Sequence, residues 1–173
     1  EAAEVVSALR AEGMTVGMLT GDRVAEAARI ASTVGIDSAQ VHADLKPVDK
    51  ANKLRQSGPT AAMVGDGVND AAALAESGLG IAVGGGVQVA GESAAVVLVG
   101  GRLAPLPEVV RVGRLTLGCI RQNLFLAFFY NAIAIPAASF ALLGAHGPAL
   151  AAAAMALSDL SVIGNAARLK WVL

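Results

Sequence analysis

Residues 63–70 read Met-Val-Gly-Asp-Gly-Val-Asn-Asp, and this stretch decides the fold. The apolar run 61–64 is typical of a short strand buried on both faces of a parallel sheet. The side chains that follow are Asp66, between two glycines, and then Asn69 and Asp70. Such oxygen ligands at the carboxyl edge of a parallel sheet can hold Mg²⁺ and a phosphoryl group. The alternative is a plain acidic turn, since Gly, Asn and Asp are also common turn formers.

A second strand end lies upstream. The apolar run 16–19 stops at Thr20, Gly21 and Asp22, and Lys46 lies between the two strand ends. A hydroxyl, a lysine and carboxylates at one edge of a sheet outline a phosphoryl-transfer site. This combination makes the acidic-turn alternative weaker.

The first hundred residues alternate between strand and helix patterns, which predicts an α/β fold with a parallel sheet covered by helices on both faces. Gly35 and Gly58 are expected to end two of the helices. The predicted domain covers residues 1–104. The predicted helices are 1–12, 24–34, 47–58 and 70–76, and the predicted strands are 14–19, 40–43, 61–64, 79–83 and 95–99.

Composition divides the chain into two unlike parts. Over 173 residues, 55% are hydrophobic and the mean hydropathy is +0.61, which is high for a soluble domain. The net charge of −1 hides a basic flank in the C-terminal part, where residues 105–122 are expected to form a basic linker helix. The single cysteine, Cys119, excludes an internal disulfide.

Two apolar runs follow the linker. Residues 124–145 contain no formal charge and are long enough to cross a bilayer, so the predicted transmembrane helices are about 123–145 and 148–166, within a region 123–173 that ends in a short tail. Basic residues flank the pair, whereas the connecting turn has no Lys or Arg, so both ends are expected on the cytoplasmic side. Two buried helices of a soluble protein are the alternative.

Polar groups inside these runs are candidates for a transport path. A carboxylate in lipid costs several kcal/mol unless it is neutral, paired or bound to a cation, which singles out Asp159. A thioether suits a soft ion such as Cu(I), whereas a carboxylate suits harder ions. For the methionine, plain packing is the alternative. The predicted set for a transported metal is Tyr130, Asn131, Met155, Ser158 and Asp159.

Over essentially its whole length the chain resembles the C-terminal part of heavy-metal-transporting P-type ATPases. The resemblance rests on residues 20–22, on Lys46-Pro47, on residues 65–70 followed by Ala-Ala-Ala-Leu-Ala, and on the terminal apolar hairpin. It implies a haloacid-dehalogenase-like phosphorylation domain, ATP-driven metal transport and Mg²⁺ as a cofactor. The phosphorylated aspartate, the nucleotide-binding and actuator domains and the earlier helices are absent from these residues, so the resemblance places them upstream in the same polypeptide.

The resemblance assigns a role to each motif residue. Thr20 is expected to hydrogen-bond the phosphoryl group, Lys46 to neutralise its oxygens, and Asp70 to orient Lys46. Asp66, with Asp70, is expected to bind Mg²⁺, and Asn69 to help hold the phosphate. Gly21 and Asp22 complete the catalytic turn, in which Asp22 fixes the loop.

The transported metal expected from the resemblance is Cu(I), because Tyr130, Asn131, Met155 and Ser158 resemble the copper branch. Asp159 departs from that branch and favours zinc-type pumps as the alternative. Ala72 and Gln88 are further departures that leave the predicted Mg²⁺ site untouched.

The expected setting is a multi-pass protein of the cell membrane with its α/β domain in the cytoplasm. The expected partners are the lipid bilayer, the metal and a metallochaperone, and no nucleic acid. A membrane-tethered dehalogenase-like phosphatase and an inactive fragment are the alternatives of another class. A sequence encoding the nucleophilic aspartate directly upstream would separate the pump from both.

Overall fold

The computed structural model of the protein describes two compact units, Glu1–Pro107 and Glu108–Leu173. Within them it describes residues 1–66, 69–84, 94–139, 144 and 147–172. The predicted departure at Gln88 lies outside these residues.

The first unit alternates between short strands and helices, as the sequence pattern predicts. Its helices are α1 (Ala2–Ala11), α2 (Val24–Val34), α3 (Pro47–Ser57) and α4 (Ala71–Glu76), with a 3₁₀ turn at Ser38–Gln40. Its strands are β1 (Met18–Leu19), β2 (Val41–His42), β3 (Ala62–Gly65), β4 (Leu79–Val83) and β5 (Val96–Leu98).

The strands form two parallel ladders. One joins β1 to β2, and the other has the order β3-β4-β5. In the second ladder Met63 lies beside Gly80, and Ile81 lies beside Val96. The predicted α/β class with a partial parallel sheet is therefore confirmed.

The first strand is shorter than predicted. Of the expected strand 14–19, only Met18 and Leu19 pair with a neighbour, and their partners are the two residues of β2. Just before the ladder, a Cβ on Gly17 would lie 2.9 Å from the carbonyl oxygen of Gln40, so glycine permits a close backbone approach there.

A small core connects the helices to the second ladder. Leu54 of α3, Met63 of β3 and Leu74 of α4 are buried together, and Leu19 of β1 packs against this cluster. The ends of β1 and β3, where the predicted site residues lie, therefore share one core.

The second unit is formed by two long helices, α5 (Leu106–Ser139), whose first two residues belong to the first unit, and α6 (Gly147–Val172). The predicted linker helix and the described part of the first predicted span form one continuous helix with Pro136 inside it. In the part of the chain that the structure describes, one helix, Ala149–Trp171, is long and apolar enough to cross a membrane. The predicted first span also includes residues 140–143 and 145, which lie outside the described residues.

Candidate phosphoryl-transfer site

The loop after β1 is held by its own side chains and by the segment before α3. The Thr20 hydroxyl donates to Asp22 Oδ2 at 2.8 Å and accepts from the Asp22 backbone N–H at 3.1 Å. The Leu45 N–H donates to the Thr20 carbonyl at 3.0 Å, and the Asp44 N–H donates to that of Asp22 at 2.9 Å. A Cβ on Gly21 would lie 3.2 Å from the Leu45 carbonyl oxygen, so glycine keeps the two segments close.

The carboxylates of the second motif lie at the end of β3. Asp66 is exposed and accepts a hydrogen bond from the Asn69 backbone N–H at 3.3 Å. Asp70 precedes α4, and its side chain is only 15% exposed. A Cβ on Gly65 would lie 2.7 Å from Asp70 Oδ2, so the Asp70 carboxylate rests against bare backbone. Residues 67–68 lie outside the described residues.

The lysine that contacts Asp70 is Lys50, not Lys46. Lys50 Nζ donates to Asp70 Oδ1 at 2.8 Å, and each side chain is 15% exposed. Lys46 is exposed and precedes α3, where its backbone N–H donates to Asp49 Oδ2 at 3.1 Å. The expectation that Asp70 orients Lys46 is therefore corrected. Lys50 lies one helical turn farther on, where it shares a face with the buried Leu54.

Helix α3 links the two motifs. It begins at Pro47, two residues after Leu45, whose N–H donates to the Thr20 loop, and Lys50 in its first turn contacts Asp70. Between residues 46 and 50 a helix rises only about 6 Å. The Thr20 loop and the Lys50–Asp70 pair are therefore tied to the same end of one helix.

A second contact keeps α3 and α4 together. Arg55 Nε and Nη2 donate to the two carboxylate oxygens of Glu76 at 3.0 and 2.7 Å. This hydrogen-bonded partner lowers the pKa of the Glu76 carboxyl and raises the pKa of the Arg55 guanidinium. Such a bidentate pair fixes orientation, which here helps to hold Lys50 on α3 opposite Asp70 beside α4.

The donor set suits Mg²⁺ that is shared with a phosphate. Among the described residues no three His, Cys, Asp or Glu side chains gather into a metal site. Mg²⁺ commonly takes one or two carboxylates and completes its shell with phosphate oxygens and waters. Asp66, at the strand end, fits that pattern, whereas one oxygen of Asp70 already accepts from Lys50.

The five residues predicted to bind a transported metal lie on α5 and α6. The Asn131 amide donates to the Ala127 carbonyl of its own helix at 2.9 Å, and the Tyr130 ring packs on Phe129. The Met155 side chain is 65% exposed. Ser158 is half-buried and Asp159 is exposed. A site built from these residues therefore stays a prediction.

Polar contacts between α5 and α6 occur at another level, which sequence reasoning missed. Asn165 Nδ2 donates to Asn123 Oδ1 at 2.8 Å and lies 3.6 Å from Cys119 Sγ. One turn away, Arg168 Nη2 donates to Gln122 Oε1 at 3.2 Å. The sequence signal for this contact is the asparagine on each apolar helix, because amides that face each other between helices usually form hydrogen bonds.

The class of the first unit follows from its parallel sheet, its strand-end aspartates and a family match. Residues 1–78 match the family model described as a hydrolase, haloacid dehalogenase-like hydrolase.

Similar proteins match nearly the whole chain, including the part beyond residue 78. The probable copper-transporting ATPase PacS of Synechocystis sp. is 48% identical over 96% of the chain and 23% of its own length. A copper-exporting P-type ATPase of Staphylococcus aureus is 48% identical over 98% of the chain and 21% of its own length. Over almost its whole length the chain is thus similar to P-type ATPases that are named for copper transport. It spans about a fifth of the length of these curated relatives.

Solved ATPase structures are also similar to the chain. A zinc-transporting PIB-type ATPase in its E2.Pi state superposes with a TM-score of 0.84 at 37% identity, covering 96% of this chain and 27% of that one. The catalytic domain of a CPx-ATPase, CopB-B, superposes with a TM-score of 0.55 at 31% identity, covering 64% of this chain and 44% of that one.

Proposed function

We propose that this chain supplies part of the phosphorylation site and a membrane hairpin of an ATP-driven copper(I)-exporting P-type ATPase. The observation that most supports it is the Lys50–Asp70 ion pair beside Asp66 at the end of β3. A half-buried lysine held by a carboxylate, next to a second carboxylate, suits a reaction in which negative charge moves between phosphoryl oxygens. A plain acidic turn needs no such lysine.

In this proposal the γ-phosphoryl group of ATP passes to an aspartate supplied by upstream residues, and ADP leaves. Lys50 neutralises the phosphoryl oxygens, and Asp70 keeps the ammonium group aimed at them. The Thr20 hydroxyl now donates to Asp22 and rotates about its Cα–Cβ bond to donate to a phosphoryl oxygen. Asn69 supports the same phosphate.

Asp66 would hold Mg²⁺, together with the phosphate and with upstream groups. When bound, Mg²⁺ supplies positive charge that offsets the charge on the transferred group. Asp70 serves Lys50 first, because that ion pair already uses one carboxylate oxygen.

Copper is the proposed cargo because the copper pumps named above are 48% identical to this chain over the aligned residues, whereas the zinc pump of known structure is 37% identical. The thioether of Met155 is a soft ligand that suits Cu(I). Asp159 is the feature that favours zinc instead, because a carboxylate is a harder ligand.

The membrane placement rests on α6 and on charge. The segment Ala149–Trp171 is apolar and, within the described structure, not covered. Basic residues lie at the start of α5 and the end of α6, and this charge pattern favours a cytoplasmic location for that end and for the α/β unit. Delivery of the metal by a metallochaperone stays a prediction from the resemblance.

Two lysines, Lys46 just before α3 and Lys50 in its first turn, test the site. In the full-length pump, Lys50→Met should lower phosphoenzyme formation by about 100- to 1,000-fold, the usual cost of losing one preorganised electrostatic group. Lys46→Met is the matched control, because it removes the same charge from the exposed start of α3. Labelled phosphoenzyme formed from ATP is the measurement. A larger loss in the Lys46 variant would overturn the assignment of Lys50.

The cargo is tested separately by comparing Cu(I) with Zn²⁺ as the activating metal under reducing conditions. Copper stimulation supports the proposal, and stimulation by zinc alone would overturn the choice of copper while leaving the phosphorylation site intact. Met155→Ala should raise the Cu(I) concentration needed for activation and leave phosphorylation by inorganic phosphate unchanged.

A further inference from the structure

A groove between α5 and α6, within the second unit, has a charged end and an apolar end. It is lined by two arginines, two amides and two apolar side chains, and its volume is about 480 Å³. The lining residues are Arg121, Gln122, Phe125, Leu126, Asn165 and Arg168.

We propose that this groove binds one anionic phospholipid, with its phosphate between Arg121 and Arg168 and an acyl chain along Phe125. The inference rests on the proposed membrane placement of the hairpin. A basic pocket between membrane helices on the cytoplasmic side is suited to acidic lipid headgroups.

The order of the lining residues matches the order of groups in a phospholipid. Phe125 follows Arg121 by four residues, and Leu126 follows Gln122 by four, so each polar side chain lies one helical turn before an apolar one. The Phe129 ring stacks on Phe125 with centroids 5.8 Å apart and extends the apolar wall by another turn. From residue 121 to residue 129 the helix rises about 12 Å, enough for a headgroup and the first part of an acyl chain.

Hydrogen bonds hold the charged end of the groove in place, and its arginines keep further N–H groups that can donate to a ligand. Gln122 accepts one hydrogen bond from Arg168 at 3.2 Å, and a guanidinium has five N–H donors. Arg121 is exposed and makes no hydrogen bond or ion pair with the residues that the structure describes. The Asn165–Asn123 hydrogen bond at 2.8 Å fixes the wall behind them.

A lipid suits the groove better than a soluble anion. The Phe125 side chain is 66% exposed and lies directly beside the basic end. A free phosphate would leave that ring uncovered, whereas a phospholipid covers the ring and pairs with the arginines at the same time. Residues 108–173 have five basic and two acidic residues, so the surroundings favour an anionic headgroup over a zwitterionic one.

Site-specific crosslinking in the full-length pump tests the occupant. Phe125 is replaced by the photoreactive analogue p-benzoylphenylalanine, and the pump is reconstituted in vesicles of equal phosphatidylglycerol and phosphatidylcholine. After illumination, mass spectrometry measures the ratio of the two crosslinked lipids. We expect phosphatidylglycerol to predominate, and Arg121→Gln and Arg168→Gln each to lower the ratio by about fivefold, the usual effect of one basic residue near a membrane surface.

Arg111→Gln and Arg114→Gln, made one at a time, are the controls, because each removes one positive charge from α5 outside the groove, and each should leave the ratio unchanged. Crosslinking to phosphatidylcholine in every variant shows that the hairpin is folded and inserted. An equal ratio in the parent protein, or equal effects of both arginine pairs, overturns the lipid site but not the membrane placement.

Two further outcomes also overturn the proposal. A crosslink to polypeptide alone means that another helix of the pump covers the groove, and the absence of any crosslinked lipid contradicts the membrane placement on which the site rests. Loss of the preference on adding inorganic phosphate, but not sodium chloride at the same ionic strength, shows a site for a free anion.

Discussion

Adding one methyl group at Gly65 should disable the site with little damage to the fold. A Cβ there would lie 2.7 Å from Asp70 Oδ2 and 2.8 Å from Asp70 Cβ. The first distance is about 0.7 Å less than the 3.4 Å at which ordinary contact begins, so the Asp70 side chain must retreat by about that amount.

Such a retreat breaks or distorts the ion pair. Lys50 Nζ lies 2.8 Å from Asp70 Oδ1, and a hydrogen bond of this kind extends to only about 3.2 Å. Because a displacement of about 1 Å at a reacting site can cost about 100-fold in rate, Gly65→Ala should lower phosphoenzyme formation by about 10- to 100-fold. Overpacking of this size costs about 1–3 kcal/mol of stability, which a folded domain can tolerate.

The assay is phosphorylation of the full-length pump by labelled ATP and, separately, by inorganic phosphate. Gly113→Ala in α5 is the control, because a Cβ there meets no described atom within 4 Å. Both phosphorylation reactions should weaken in the Gly65 variant, since both use Lys50. Unchanged phosphorylation in a variant that binds Mg²⁺ normally would show that the Lys50–Asp70 pair does not position the phosphate.

Three other substitutions test contacts within the two units, two in the α/β unit and one between α5 and α6. Glu76→Gln removes the hydrogen-bonded partner of Arg55. Because the pKa of Glu76 is lowered in the folded state, the stabilisation from this carboxylate is present above about pH 4.5 and is lost as the pH falls through the folded-state pKa. The thermal midpoints of variant and parent should therefore differ at pH 7 and converge in acid. Asn165→Leu should lower the unfolding free energy of the hairpin in mixed micelles by about 1 kcal/mol, because it removes an amide hydrogen bond between helices; an unchanged value would mean that the bond adds no stability. Gly78→Ala should reduce the folded yield of the pump, because its Cβ would collide with the backbone carbonyl of Pro59; normal yield and midpoint would contradict this packing.

The elements with strong local signals could be predicted from the sequence. Helix α2 covers Val24–Val34 as expected, because Gly35 adopts the left-handed conformation, with φ of 79°, that ends a helix. Helix α3 begins at Pro47, whose fixed φ suits a first helical position. Strand β4 also has its predicted bounds. In each case the signal lies in the element itself or in the residue beside it.

The choice of lysine could not be made from local signals. Lys46 lies next to Pro47, and in the sequence both Lys46 and Lys50 lie between the two strand ends that carry the carboxylates. What decides between them is the rotation of α3 about its axis, which places the buried Leu54 and therefore Lys50 toward α4. The roles of the residues inside the two apolar runs were harder to predict, because the proposed metal site would take further ligands from helices upstream of these residues.

The strand topology indicates where the upstream aspartate of the proposed pump would lie. Among the described residues β1 pairs only with β2, and β3 pairs only with β4, so the two ladders are not hydrogen-bonded to each other. Yet Leu19 of β1 and Met63 of β3 belong to one packed cluster. Each ladder thus has an unpaired edge, and exposed strand edges of this kind are usually covered by another strand or segment. One added strand from the upstream residues would pair with both edges and end between Thr20 and Asp66. An aspartate at the end of that strand would face the hydroxyl on one side and the Mg²⁺ ligand on the other, which is where the proposed phosphoryl acceptor has to lie.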